Sequence, residues 1–177
     1  TVILTHQHPD HVDMNALKSI LAESGASVIT NSEGKSALAK ENIDVRVVEE
    51  GSYATKNFTI RALSAQHEKI LSPTLPQNTA YILNDVFLNP GDSFASLLSP
   101  LKGIQVLALP VSAPWTTEVA VAEFAQMIAP QMVIPVHDGY LKDFFLKQRY
   151  QNYTQNFTLL GIAFQSMGQP GDSVDIK

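Results

Sequence analysis

The chain has 177 residues, 45% hydrophobic and 16% charged, a composition that supports one ordinary folded core and excludes a disordered or highly charged chain. Twelve Lys and Arg against 17 Asp and Glu give a formal net charge of −5, which disfavours a broad electrostatic grip on nucleic acid or anionic lipid. With no Cys, disulfides, thiolate nucleophiles and Cys-based zinc sites are excluded, and no run approaches the roughly 18 apolar residues of a membrane-crossing helix.

The opening Val-Ile-Leu-Thr run reads as a short buried strand that delivers the polar segment His6-Gln-His-Pro-Asp-His11 to its end. Asp13 is placed to cap a helix over about 14–22, with Met14, Leu17, Ile20 and Leu21 on one side and Gly25 at its exit. Residues 26–30 read as a strand, and Ser32 as the cap of a second short helix ending near Lys40. Residues 45–53 and 57–65 show partial two-residue alternation and are expected as adjoining strands. Two short apolar segments follow, with Asn84 and Asp85 as a turn and Asn89, Pro90 and Gly91 closing the second. Residues 104–110 form a further strand. The helix expected over 117–129 carries Val119, Ala122, Ala125 and Ile128 at helical spacing before Pro130. A strand over 132–136 ends at His137, a helix is expected over about 141–150, a last strand near 157–164, and a polar tail over the final ten residues. No repeat or linker interrupts this alternation of helix and strand, so residues 1–177 read as a single domain of the α/β class.

All five histidines, His6, His8, His11, His67 and His137, fall at or just after expected strands. Imidazole offers the nitrogen donor suited to zinc and other transition metals, and Asp10 and Asp92 add hard oxygen donors. An extended or turning backbone could direct His6 and His8 to one centre while Asp10 and His11 face a neighbouring one, and His67, Asp92 and His137 could complete the pair if their strand ends converge. Singly, His67 or His137 would more often be an ordinary hydrogen-bonded histidine, and Asp92 or Asp10 a turn residue; the full set shifts the balance to metal.

The segment Thr5-His-Gln-His-Pro-Asp-His-Val-Asp13 strongly resembles the HxHxDH signature of the metallo-beta-lactamase superfamily, and the segments around His67, Asn89 to Phe94, and Val133 to Gly139 follow in the expected order. The UlaG-like branch of metal-dependent hydrolases is the nearest general relative by resemblance. The resemblance implies a four-layer αββα sandwich and a dinuclear site, with His6, His8 and His67 on the first metal, Asp10, His11 and His137 on the second, and Asp92 bridging both. That superfamily usually places several strands before its first motif, whereas Thr1 begins the strand that leads into it, so an absent or unusually short N-terminal portion is expected.

Two neighbouring metals would acidify a water and hold a hydroxide as nucleophile, with Asp10 orienting or deprotonating it. The expected activity is therefore metal-dependent hydrolysis of a small ester, lactone or phosphorylated metabolite. A phosphodiesterase acting on nucleic acid and a noncatalytic metal-stabilised interaction domain are the alternatives. Zinc leads among the metals, with manganese, iron and cobalt also suited to an N/O set. Glu68 and Asp138 read first as solvated loop carboxylates, Trp115 as a cap on the core, and Tyr140, Phe144 and Phe145 as helix-packing residues. No phosphate-binding glycine loop or dinucleotide fingerprint is present, so no nucleotide cofactor is expected. No membrane partner is expected, nucleic acid is disfavoured as a partner, a homo-oligomer would cover sheet edges, and the family resemblance points to the cytoplasm.

Overall fold

The computed structural model describes residues 1–169 and 171–176. Its strands form a three-stranded sheet and a seven-stranded sheet, and the chain divides into two compact units: residues 1–81 with 90–93, and residues 82–89 with 94 onward.

In the first unit β1 (Val2–Ile3), β2 (Val28–Thr30) and β3 (Val45–Val47) run parallel, with Val2 opposite Val28 and Val28 opposite Val45. Parallel neighbours need a crossover, and the two crossovers are α1 (Met14–Ser24) and α2 (Ser32–Ala39). Leu4, Leu17, Val28, Leu38 and Val45 pack as one buried cluster. Asp13 caps α1 as expected, its Oδ1 accepting the Ala16 amide at 2.8 Å, and Gly25 ends it in the left-handed conformation at φ 61°. Ile20 departs from the expected face and is 48% exposed. At 100° per residue it lies about 60° beyond Leu17, away from Met14 and Leu21.

The cap of α2 is also corrected. Asn31 holds that place, its Oδ1 accepting the Gly34 amide at 2.9 Å, while the Ser32 hydroxyl turns to Glu49 Oε1 at 3.1 Å. Residues 45–47 belong with β2, not with the strands that follow, because Val48 N–H continues the ladder to Thr30 O. The adjoining pair is β4 (Gly51–Ala54) and β5 (Thr59–Ser64), antiparallel with Tyr53 opposite Ile60. β6 (Thr79–Leu83) follows in the larger sheet, and the buried Tyr81 hydroxyl donates to Val48 O at 2.9 Å.

In the second unit Asn84 and Asp85 form the expected turn, both with positive φ (51° and 56°), before β7 (Phe87–Asn89). β7, β8 (Val106–Pro110), β9 (Met132–Val136) and β10 (Ala163–Phe164) pair in that order and all parallel. Parallel central strands are buried on both faces, and β8 is buried at all five positions. α3 (Glu118–Ile128) buries Val121, Phe124, Ala125 and Ile128, an i, i+3, i+4, i+7 stripe, which leaves Val119 exposed, contrary to its expected place on the core face.

α4 (Asp143–Leu159) is longer than expected and takes in the first residues of the segment read as a final strand. Tyr153 and Phe157, one turn apart, extend its buried face, and the helix stops where Gly161 turns left-handed at φ 71°. There Ile162 N–H bonds Phe157 O at 2.9 Å and Gly161 N–H bonds Thr158 O at 3.1 Å, a Schellman ending. Only Ala163 and Phe164 remain as strand. The described part of the last ten residues carries no helix or strand, and positions 170 and 177 of that expected tail lie outside the described residues. Among the described residues no helix is long and apolar enough to cross a membrane.

The two sides of α1 make the packing argument measurable. Leu17→Ala should cost about 2–5 kcal/mol and Ile20→Ala less than about 0.5 kcal/mol in urea unfolding, whereas similar costs would put Ile20 back in the core.

Candidate metal centre

Six of the seven expected ligands, His6, His8, Asp10, His11, His67 and Asp92, belong to the first unit. Strand geometry brings four of them together. β1 carries the chain through Leu4 to buried Thr5 and His6; a turn in which His8 O accepts the His11 and Val12 amides at 2.9 and 3.0 Å follows. His67 lies just beyond β5, and Asp92 just beyond β7. One donor atom from each of His6, His8, His67 and Asp92 lies within 4.8 Å of the other three.

The spacing suits a metal. Ligands about 2.0–2.1 Å from a tetrahedral zinc sit about 3.3 Å apart. Here His6 Nε2 is 3.2 Å from His8 Nδ1, His67 Nε2 is 3.5 Å from Asp92 Oδ2, and His6 Nε2 is 4.0 Å from Asp92 Oδ2. Asp92 Oδ1 faces elsewhere, 3.2 Å from His11 Nε2, which in turn lies 3.9 Å from Asp10 Oδ2. The two oxygens of one buried carboxylate thus address different histidines, Oδ2 His6 and His67 and Oδ1 His11.

Protonation favours metal as well. Burial, reinforced by neighbouring His11, pushes the His6 pKa down to about 3 against the opposing pull of Asp92, and burial likewise lowers His8. Neutral imidazole is the form that ligates. His67 Nδ1 lies 2.6 Å from Glu68 O. A carbonyl only accepts, so Nδ1 carries the proton and Nε2, the atom toward Asp92, carries the lone pair.

Several residues that hold this arrangement have no motif of their own. The buried Asn78 side chain donates to Ala65 O at 2.9 Å and Pro90 O at 3.0 Å, while its Oδ1 accepts the Asp92 amide at 3.2 Å. It therefore ties the segment entering His67 to the segment carrying Asp92, which Glu68 N–H also contacts through Asp92 O at 2.8 Å. Asn31 Nδ2 bonds Thr5 O at 3.0 Å and Gln77 O at 2.9 Å, and Thr5 O also accepts Thr79 N–H at 3.0 Å. The Thr5 hydroxyl reaches His6 Nδ1 at 3.1 Å and His11 Nδ1 at 3.5 Å. Gly91, at φ 60°, lets the backbone approach: a Cβ there would fall inside the contact radius of Asn78 Oδ1 and 2.9 Å from Thr5 Cβ. Gly91 was legible as a turn residue and Thr5 as the neighbour of a motif; Asn78 carries no local signal.

The seventh expected ligand, His137, follows β9 in the second unit. Its Nδ1 lies 2.7 Å from Ser112 O, which by the same tautomer argument puts the lone pair on Nε2. Asp138 is not a simple solvated carboxylate: the Tyr150 hydroxyl donates to its Oδ2, and burial first, then Asp138, pushes the phenol pKa up so that it stays a donor. Glu68 is half-buried and contributes through its backbone. Tyr140 and Phe144 are 66% and 72% exposed, and Phe145 is exposed as well, which overturns their expected packing role.

Gly91→Ala combines an unfavourable left-handed alanine with overpacking and should lower stability by about 2–4 kcal/mol in urea unfolding; an unchanged midpoint would show that Asn78 yields freely. A pH prediction follows from His6. An unfolded His6 takes up a proton below about pH 6.5, and the folded one resists it down to about 3. In chelator-treated protein its contribution is present above about pH 6.5 and lost as pH falls toward 3, at up to about 1.4 kcal/mol per pH unit. Urea midpoints between about pH 7.5 and 5 should fall more steeply in the native sequence than in His6→Gln, and equal slopes would contradict the burial argument.

The chain is similar to several known proteins. Protein Rv0786c of Mycobacterium tuberculosis is 28% identical over 146 residues, covering 78% of this chain and 66% of that protein. The UPF0173 metal-dependent hydrolase STH3160 of Symbiobacterium thermophilum is 30% identical over 154 residues, covering 78% of this chain and 65% of that protein. The chain thus spans just under two thirds of the length of these curated relatives. The structure of Igni18, a metallo hydrolase from Ignicoccus hospitalis, matches with a TM-score of 0.72 at 20% identity over 99% of this chain and 79% of that one, a likeness of fold. The architecture is the expected α/β sandwich class, parallel and mixed sheets flanked by helices. Its residues 1–137 match the beta-lactamase superfamily domain, and the chain belongs to that family.

Proposed function

We propose that this chain is the core of a dinuclear metal hydrolase acting on a small ester, lactone or phosphorylated metabolite, of the UlaG-like kind, with zinc as the leading metal. The observation that carries the proposal is the division of Asp92, whose Oδ2 faces His6 and His67 and whose Oδ1 faces His11. His6, His8 and His67 would hold one ion, Asp10, His11 and His137 the other, and Asp92 both. Bound there, the metals supply Lewis acidity and lower the pKa of a water.

The chain's own groups supply the rest. The lone pairs of His67 and His137 are directed by the carbonyls of Glu68 and Ser112, so neither ring must reorient to serve. Asp10 is the most open carboxylate of the set, its side chain 27% accessible, and is suited to orient a water and accept its proton. The name of the Symbiobacterium relative, a metal-dependent hydrolase, supports the same reaction class.

Metal analysis after chelation and reloading with zinc should find about two ions per chain, and Asp92→Asn less than one. Turnover would be sought on lactones, carboxylic esters and phosphodiesters, with a drop of at least about 100-fold in Asp92→Asn. Two bound ions without turnover on any of the three would favour the noncatalytic metal-stabilised domain, and a single ion would overturn the dinuclear reading.

A further inference from the structure

In the second unit a row of aromatic rings starts in the core and ends on His137. Phe124 of α3 is buried, and the Phe94 ring stacks on it with centroids 4.6 Å apart and planes 16° apart. Trp115 meets Phe94 edge-on at 5.1 Å and approaches His137 at 6.2 Å with planes 73° apart. Tyr140 adjoins the same imidazole at 5.7 Å, tilted by 44°.

The two rings on His137 differ in their footing. Trp115 is half-buried and braced through Phe94 on Phe124, so it is a fixed surface. Tyr140 is 66% exposed, so its ring does little for the core, and a Cβ on neighbouring Gly139 would meet nothing within 4 Å. His137, which both rings approach, is held by Ser112 O, and the next residue by the Tyr150 hydroxyl. Apolar walls around a few fixed polar groups are the composition of small-molecule sites.

We propose that Trp115 and Tyr140 are specificity-determining residues that receive a flat, aromatic part of the substrate beside His137. The inference rests on the reading of His137 as a metal ligand of a hydrolase, and it narrows the substrate class to esters or lactones that bear an aryl group. Stacking and edge contacts on an imidazole, an indole and a phenol favour a planar ring over a methyl group of the same charge.

Trp115 is the sole tryptophan, so fluorescence excited beyond the tyrosine absorption band reports on this place alone. Zinc-loaded protein would be titrated with benzoate and with acetate, two carboxylates that differ only in the apolar group. A saturable change is expected with both, about tenfold tighter for benzoate, and Tyr140→Ala should remove most of that preference while leaving acetate affinity and zinc content unchanged. Equal affinities, or a preference untouched by Tyr140→Ala, would overturn the proposal. Cobalt added to chelator-treated protein separates the two layers of inference: bound at His137, it should quench Trp115, and His137→Ala should abolish the quenching. Cobalt that leaves the fluorescence unchanged would overturn the metal reading of His137 and this proposal with it. Quenching without a benzoate preference would overturn the aromatic wall alone.

Discussion

One buried amide organises the first unit. Asn78 satisfies two carbonyls and one N–H from segments that are distant in sequence, and those segments carry His67 and Asp92. A buried polar group with good partners is worth about 1 kcal/mol net per bond, but leaving one of them unmade costs more, so such a hub tolerates only one arrangement of its neighbours. The close approach of Gly91 to the same amide tightens the constraint, since the backbone at Asp92 can sit where it does only because position 91 has no side chain. Asn31 does the corresponding work at Thr5, fixing the backbone one residue before His6 while capping α2 with its other atom.

The electrostatic design follows from this rigidity. Histidines crowded around one carboxylate would repel one another if charged, and burial together with that repulsion keeps His6 neutral over the ordinary pH range. Backbone carbonyls then choose the tautomer at His67 and His137, an assignment that costs no charge and puts each lone pair on Nε2. Such a cluster is costly to bury without a cation, and a cation is the group that its donor set and spacing accommodate.

The candidate ligands were legible because metal chemistry restricts such donors to a few residue types, and strand-end placement could be read from the apolar runs before His6, His67 and His137. The turn at Asn84 and Asp85 and the cap at Asp13 were legible for the same reason, since each acts through its immediate neighbours. Asn78 was not, because its partners lie 12 to 14 residues away and an asparagine in a loop is ordinary. The tail end of α4 was misread as strand because Phe157, Leu159, Leu160 and Ile162 form a dense apolar run with no period of its own. What decides it is the buried face already begun at Tyr153 and the left-handed stop at Gly161, both of which are tertiary or conformational facts. The exposure of Tyr140 and Phe144 escaped for the opposite reason: hydrophobicity predicts burial only on average, and these two rings are where that average fails.

The turn at His137 is held from several sides. Its φ of 63° is left-handed, a conformation that costs a non-glycine residue about 1–2 kcal/mol and persists only where the surroundings impose it. Three contacts impose it here: Nδ1 on Ser112 O, the Asp138 carboxylate on the Tyr150 hydroxyl of α4, and the Leu141 amide on Asp138 O at 3.1 Å. The length of α4, which the sequence understated, has a consequence at this point. A helix continuing to Leu159 buries Tyr153 and Phe157, and that burial anchors the turn carrying Tyr150. The apolar face at the far end of the helix therefore supports the orientation of an imidazole near its start.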